Sequence, residues 1–476
     1  MRSMLLVHVP RITGDRREIM VLPHGLVALA AIADRLGVPA QIAHAGLGGL
    51  DRDEVLLAHA AARAPAAVLF TLHWHQQAAA TLRAIGLFAR RFPQTPIAVG
   101  GLAASIFVHE LLDCAPGLAA VIRGDGEAAV SAIARQVRAG RPVSFAGGPN
   151  AVWRDPGGAI RDNGLSFLLE ARGAARLEHA RFELLAHPRE YLGARLYADF
   201  YDPPGGVSPH AYGPAFYYNP GRGCTYGCAF CGGSRISQML TCGRIGYFFY
   251  GTRKVLRDLA AARAWGLSTW RVSFDPGRGR TEWPALLRAV ARAGMRWRLV
   301  FDAWTPPPPA MIETMAGAAL PGSVLVLSPE TGNEELRKRL KGASHTDALY
   351  EESIAAARAQ GLGVHLFVSA GLPRETARDV EATASMVRRL RARHGVEVTA
   401  RARELHPGSR MFLHPKRHAV RLLRRSLREF LTGEHPVGYE TAAFTEQGIM
   451  AAIAALLEVS HERRSGSCRS DGHCIL

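Results

Sequence analysis

The first 130 residues alternate short, mainly apolar runs with stretches of helical spacing. Met4–Val9, Ala40–His44, Ala67–Leu72, Ile97–Gly100 and Ala119–Arg123 have strand length and apolar character, the pattern of strands buried on both faces. Between the first two, Leu26, Leu29, Ala30, Ala33 and Leu36 recur three and four apart, with Pro23 placed to open a helix and Gly37 to close it. Five strands alternating with helices predict a doubly wound parallel sheet, which binds its ligand in the crevice at the C-terminal strand ends. The pattern alone fits a flavodoxin-like or nucleotide-binding domain equally well.

A second alternation begins near residue 215. Ala215–Asn219, Trp270–Phe274, Arg298–Asp302, Ser323–Ser328, Val364–Ala370 and Val396–Ala400 read as strands, with helical spacing over 281–293 and 346–360. Six successive βα units predict a partial barrel with its chemistry at the C-terminal strand ends. Residues 146–164 and 202–214 are rich in Gly and Pro and read as connections. The predicted class is therefore α/β, in four parts. A doubly wound domain spans 1–145, a joining module 146–212, a six-unit partial (β/α) barrel 213–410, and a helical, basic extension 411–476.

Composition narrows the setting. The chain has 476 residues, 48% of them hydrophobic, enough for two or three domains. No run approaches the roughly 18 apolar residues of a membrane span. The apolar N-terminal segment stops at Pro10, too short for a secretory signal. Seven cysteines do not make a disulfide scaffold. The expectation is a cytoplasmic protein with reduced thiols and no membrane partner. Lys and Arg number 58 against 41 Asp and Glu, a net charge of +17. The excess is dense at Arg388, Arg389, Arg391 and Arg393, and again at Lys416, Arg417, Arg421, Arg424, Arg425 and Arg428. Without interleaved aromatics these read as solvated helix faces, although an anionic partner, nucleic acid included, stays open.

The most specific feature lies just after the first barrel strand. Cys224, Cys228 and Cys231 sit at C-x3-C-x2-C within a loop that also holds Gly221, Gly223, Gly227, Gly232 and Gly233. A glycine-rich loop can wrap closely around a compact soft-metal centre, and thiolates suit iron–sulfur clusters or zinc. Three ligands leave one iron of a four-iron cubane open to bind another molecule. A zinc knuckle recruiting Cys242 is the alternative, but zinc favours paired C-x2-C units on separate hairpins. Cys114 and Cys242 read as ordinary thiols, and Cys468 and Cys474 as part of a polar tail.

This loop, with Phe230 in its aromatic slot ahead of a six-unit barrel, resembles that of the radical S-adenosylmethionine (SAM) enzymes. The resemblance implies a 4Fe-4S cluster on Cys224, Cys228 and Cys231, whose open iron chelates SAM. Phe230 and Gly232 then lie beside SAM. Leu327–Asn333 resembles the family's fourth-strand segment and implies SAM contacts from Ser328 and Glu330. Phe367–Thr376 resembles its Gly-Leu-Pro turn and implies that Gly371 and Leu372 flank adenine. His406–Ser409 matches a sixth-strand turn. Ser273-Phe274-Asp275 departs from the family's Gly-Gly-Glu-like contact, which leaves Asp275 as the stand-in.

The front domain resembles the cobalamin-binding domain that precedes many radical SAM barrels. The matching segments are Pro23–Leu26, Val99–Ser105 and Arg123–Glu127. They imply cobalamin contacts from Leu26, Gly100, Gly101, Ser105, Gly124, Gly126 and Glu127. The loop after the first strand, Pro10–Arg17, lacks the histidine with which some such domains ligate cobalt. The loop with Thr71, His73, Trp74 and His75 is then expected at the lower corrin face, Trp74 excluding water or a histidine ligating. The resemblance spans roughly residues 1–410.

Together these features imply a methyltransferase that moves a methyl group from SAM, by way of methylcobalamin, to an unactivated carbon or phosphorus. Its substrate is a small-molecule or peptide natural product, and its electrons come from a donor such as flavodoxin or ferredoxin. Two other readings stay open: a non-methylating cyclisation or rearrangement on the same cofactors, and a metal-containing nucleic-acid-binding or RNA-modifying protein. The C-terminal helices are expected to cap the barrel mouth, with His435, Tyr439 and Phe444 toward substrate.

Overall fold

The structure, a computed structural model, describes residues 2–13, 16–18, 20–193, 215–275, 277, 280–342 and 345–461. Its first sheet contains β1 (Ser3–His8), β2 (Ala40–His44), β3 (Pro65–Thr71), β4 (Ile97–Gly100) and β5 (Ala120–Ile122), all parallel. Their spatial order is β2-β1-β3-β4-β5. Alternate residues face opposite layers, as strand geometry requires. Met4 and Leu6 pack into the core shared with α1 (His24–Arg35), whereas Leu5 and Val7 pack against the opposite layer. That layer comprises α2 (Asp53–Ala61), α3 (Ala78–Arg91), α4 (Leu102–Ile106) and α5 (Val108–Cys114), and α6 (Glu127–Arg138) joins α1 on the first face. The strand order reverses between β1 and β3, which opens a crevice at their C-terminal ends.

Two departures from the expected layout concern connections. The stretch 146–164 is a continuation of the first sheet: β6 (Ala151–Arg154) and β7 (Ile160–Asp162) add antiparallel to β5. Ala151 and Val152 are fully buried, and the Pro and Gly that read as a linker make the turn between the strands. The sheet thus runs past residue 145. In the segment Pro10–Arg17, Arg11–Thr13 pairs antiparallel with Arg16–Glu18. Short helical turns over 171–174, 182–184 and 188–193 follow; the connection expected over 202–214 lies outside the described residues.

The second sheet starts at β8 (Ala215–Tyr217). A hairpin of β9 (Gly221–Cys224) and β10 (Gly246–Phe249) follows, enclosing the cysteine loop and α7 (Arg235–Cys242). After α8 (Thr252–Ala264) come β11 (Thr269–Val272), α9 (Glu282–Arg292), β12 (Arg298–Ala303), α10 (Pro309–Ala318) and β13 (Val324–Glu330). The chain continues through α11 (Glu334–Lys341), α12 (Asp347–Ala359), β14 (Gly363–Ala370), α13 (Ala377–His394) and β15 (Glu397–Ala402). The six strands β8, β11, β12, β13, β14 and β15 lie side by side in chain order, all parallel. Trp270, Trp283 and Trp297 are fully buried in its core. Two of their indole N–H groups are satisfied, Trp270 donating to the Tyr218 carbonyl at 2.8 Å and Trp283 to that of Phe274 at 3.0 Å.

Beyond β15 the chain is less helical than expected. A hairpin of β16 (Val420–Leu422) and β17 (Tyr439–Thr441) precedes α14 (Glu446–His461), which packs on β15 and α13. The Cys468 and Cys474 tail lies outside the described residues. The two halves meet where Gly124, after β5, faces α7. Its φ is +61°, and a Cβ there would lie 2.3 Å from Cys242 Cβ and 2.9 Å from Cys242 Cα. Gly124→Ala is expected to lower stability by about 1–3 kcal/mol through strain and overpacking. Urea denaturation monitored by tryptophan fluorescence tests this, and an unchanged midpoint would show that the contact yields freely.

Candidate active site at the junction of two sheets

One cavity of about 710 Å³ joins the strand ends of the first sheet to the mouth of the barrel. From the front domain it is lined by Leu26, Thr71, His73, Trp74, Gly100, Gly101, Ser105, Gly124, Gly126 and Glu127. From the barrel it is lined by Cys224, Cys228, Phe230, Cys231, Ser328 and Glu330. The front-domain lining follows from close backbone passage. Gly101, at φ +124°, leaves only 2.5 Å between a would-be Cβ and the Leu72 carbonyl oxygen, so no larger residue lets β4 turn into α4 there. The Ser105 hydroxyl donates to the Gly101 carbonyl at 2.8 Å and accepts from the Gly124 amide at 2.9 Å, tying two of these turns together.

The cysteine loop is fastened from every side. Gly223, at φ +97°, lets β9 lie against the Gly246 carbonyl. The Arg235 amide donates to the Tyr226 carbonyl and the Ala229 amide to that of Leu340, both at 2.8 Å. Arg410 Nη1 reaches the Gly227 carbonyl at 3.0 Å, and Ser234 caps α7. Inside this frame, the amides of Tyr226 and Gly233 each donate to a sulfur, of Cys224 and Cys231 respectively, at 3.3 Å. Burial raises all three thiol pKa values, Cys228 to about 12, while Lys341 and Arg403 act in the opposite direction on Cys228 and Cys231. Such thiols ionise when a cationic centre replaces their protons. Among the described residues no three His, Cys, Asp or Glu side chains gather as ligands of a single ion. Cys242 donates instead to the Gln238 carbonyl at 3.1 Å. Three soft donors on one amide-rich loop facing a cavity fit a multi-iron cluster.

A charge relay surrounds the loop. Glu330 closes β13 at φ +67°, where the pairing with β14 slips. Its carboxylate accepts from Ser369 Oγ at 2.9 Å and pairs with Arg403. Burial alone would raise the Glu330 pKa, but Arg403, Lys341 and Ser369 together hold it below the ordinary value. The Arg403 guanidinium also stacks over the Phe230 ring, 4.8 Å from its centroid. Lys341 Nζ donates to the Ser328 carbonyl at 2.6 Å. Arg337, fully buried, donates to the carbonyls of Pro329 and His345 and pairs with Asp347 at 2.9 Å, which pins the backbone carrying Glu330.

The two domains are clasped by a buried ion network. Asp125 meets Arg222 at 2.7 Å and also Arg244, Glu127 meets Arg222 at 2.5 Å, and the Leu169 amide donates to Asp125 at 2.8 Å. Arg222 Nε further donates to Tyr250 Oη at 3.2 Å. Beside it lies a second buried group: Lys254 pairs with Asp258 and donates to Tyr218 Oη at 3.2 Å, while His179 faces Asp258 at 3.1 Å. Arg222, Arg244, Asp125, Arg403 and Lys341 were not expected as site residues. Arg222 stands between Gly221 and Gly223, two residues before Cys224, which is the one local mark it carries. Arg403 carries no such local mark.

Five expected residues lie off the cavity wall. His75 packs on Phe430, ring centroids 5.1 Å apart, and faces Glu404 at 3.4 Å. Gly232 approaches the Pro407 carbonyl, 2.9 Å from its would-be Cβ. The Asp275 carboxylate is taken up by Thr305 Oγ1 at 2.7 Å and by the amides of Trp304 and Thr305. The Gly371 carbonyl accepts from Tyr439 Oη at 2.7 Å, and Leu372 is fully buried. Tyr439 is thus a packing residue beneath α14, and His435 pairs with Glu446 at 2.9 Å.

His179 is buried and His73 half-buried on the cavity wall, and both have pKa values lowered to about 4. Desolvation is the main cause, followed by Arg222 for His73 and Lys254 for His179, with Asp258 opposing at His179. The unfolded chain binds these protons near pH 6.5. Their contribution is therefore complete above about pH 6.5 and is lost as pH falls toward about 4. The denaturation midpoint of the protein without cofactors is expected to drop between pH 7.5 and 5, and His73→Asn to make that drop shallower. A variant with an unaltered slope would exclude His73 as a contributor.

Comparison with known proteins agrees with this geometry. Residues 218–387 match the family model of the radical SAM superfamily, and residues 11–134 match the B12 binding domain. No curated protein matches by sequence. Among solved structures, the chain is similar to the radical SAM methyltransferase TsrM from Kitasatospora setae with cobalamin and a [4Fe-4S] cluster bound. The TM-score is 0.69 at 16% identity, covering 99% of this chain and 93% of that one. A second TsrM structure, with tryptophan substrate and the SAM analog aza-SAM, gives 0.67 at 17% identity, covering 95% and 89%. The cobalamin-dependent SAM radical enzyme OxsB with aqua-cobalamin gives 0.66 at 11% identity, covering 95% and 66%. On the two family matches, the chain carries a radical SAM domain with a B12-binding domain in front of it.

Proposed function

We propose that the chain is a cobalamin-dependent radical SAM methyltransferase, moving a methyl group from SAM to an unactivated carbon or phosphorus of a small-molecule or peptide substrate. The observation that carries this reading is the single cavity, which leaves no wall between the strand ends of the front domain and the cysteine loop. The similarity to TsrM, a methyltransferase that takes tryptophan, supports it. A cluster, SAM and cobalamin bound there would supply the electron, the radical and the methyl carrier.

The chain's own residues bind and orient. Cys224, Cys228 and Cys231 would hold the cluster, and Phe230, Ser328 and Glu330 would line the SAM side. Arg403 keeps Glu330 ionised and its carboxylate fixed, so that side offers an acceptor to an ammonium group. Gly100, Gly101, Gly124 and Gly126 would let the corrin and its tail pass close to backbone. His73, held neutral at neutral pH by burial, and Trp74, whose ring lies edge-on to it at 4.7 Å, would shield the face beneath the corrin from water. No described helix is long and apolar enough to cross a membrane. The reduced thiols fit a cytoplasmic setting.

Anaerobic reconstitution with iron, sulfide and hydroxocobalamin is expected to load about four irons and one cobalt per chain. With methyl-labelled SAM and reductant, label should remain with the bound cobalamin. Cys224→Ala/Cys228→Ala/Cys231→Ala should lose the iron and keep the cobalt. Iron and cobalt without methyl label would replace the methyltransferase reading with a rearrangement on the same cofactors. Failure to bind cobalt would overturn the assignment of the front-domain residues.

A further inference from the structure

The basic run that the sequence leaves as a solvated face has a definite address. Its first part lies against the cysteine loop, and none of residues 410–418 lines the cavity. The Met411 amide donates to the Ala229 carbonyl at 2.9 Å, and Arg410 holds the Gly227 carbonyl. The segment 410–418 is therefore bonded directly to the backbone between Cys224 and Cys231. On this segment His414, Lys416 and Arg417 are exposed, and exposed Arg374 reaches the Arg417 carbonyl at 3.2 Å. Arg374 and Arg410 spend these hydrogen bonds on carbonyl oxygens rather than carboxylates. The consequence is visible at half-buried His418. Its pKa falls to about 4 through burial and then the positive charges of Arg410, Arg417, His414 and Arg374. On the other flank, the Ala229 amide is held by Leu340, at the end of a helix that exposes Lys338 and Arg339. Leu413, 36% exposed, adds an apolar side chain to the same segment.

We propose that this cationic face is the docking surface for an acidic one-electron carrier protein, which reduces the cluster through the loop backbone it covers. The proposal rests on the cluster reading of Cys224, Cys228 and Cys231. With a flavodoxin as carrier, its anionic flavin hydroquinone loses one electron and becomes the neutral semiquinone. The cluster passes from the 2+ to the 1+ state, and no proton moves. Clustered charge of one sign beside a redox centre raises the encounter rate with a partner of opposite sign and makes it sensitive to salt. A nucleic acid would also feel the charge, but would have no reason to sit against the loop that holds the cysteines.

The test uses the reconstituted protein and a bacterial flavodoxin. Lys416→Glu/Arg417→Glu is compared with Arg138→Glu/Arg141→Glu, a reversal of equal charge on the front domain. The first pair should slow cluster reduction by flavodoxin hydroquinone at low salt at least about tenfold. It should also weaken flavodoxin binding in calorimetric titration, and leave reduction by dithionite unchanged. The control pair should lose much less. Equal rates in the two variants would overturn the docking surface. So would patch-dependent binding of a single-stranded RNA with no effect on flavodoxin. A protein whose iron is absent, or is not reduced even by dithionite, would instead overturn the cluster reading on which the surface depends.

Discussion

Everything at the site depends on a carboxylate of the front domain meeting two guanidinium groups of the barrel. Asp125 pairs with Arg222 and Arg244, and Glu127 adds a second bond to Arg222. Buried ion pairs of this kind return little net stability, because desolvating the charges costs about what their attraction gives back. Their geometry is narrow, however, and that is the useful property here. Arg222 stands two residues before Cys224, and Asp125 two residues before the start of α6. The clasp thus fixes the cysteine loop against the strand ends of the first sheet, and the cavity between them is its by-product.

The strands were legible because parallel strands covered on both faces are written as short, nearly continuous apolar runs. Ala40–His44 and Ile97–Gly100 appear in the structure with the bounds the sequence implies. Where polarity and turn residues dominate, the same logic misleads. Gly157 and Gly158 signal a break, yet the break is the turn of a hairpin whose strands extend the sheet. The chain from 411 onward is read as helical, which holds over Leu427–Leu431, whereas at Val420–Leu422 the residues Val420 and Leu422 alternate inward across a strand. Two-residue alternation over three residues is too short to be read without knowing what lies beneath.

The site was legible to different depths for a similar reason. A motif records residues that touch one another through a short loop, so the three cysteines and Phe230 fall together. A glycine in a turn is ambiguous: Gly101 is small because the Leu72 carbonyl lies against it, and Gly371 because Ile449 of α14 does. Nothing in the local sequence distinguishes a glycine that admits a ligand from one that admits another part of the chain. Arg403 is harder still. Its partners Phe230 and Glu330 are far away in sequence, and only the closing of the six-stranded sheet brings them together.

The electrostatics of the cavity then have a direction. Glu330 is held in its ionised form by Arg403 and Lys341, Asp125 pairs with Arg222 and Arg244, and Glu127 pairs with Arg222. These charges are spent within the protein. The three thiols differ: burial holds them protonated, with only partial relief, from Lys341 and Arg403 at Cys228 and Cys231 and from the Tyr226 amide at Cys224. Replacing their protons with a cationic centre is the step by which this region would gain most, since three buried thiolates would then meet positive charge at bonding distance. Binding and local ordering are coupled in that case. The loop's amide bonds to Cys224 and Cys231 are the part of that arrangement already in place before anything binds.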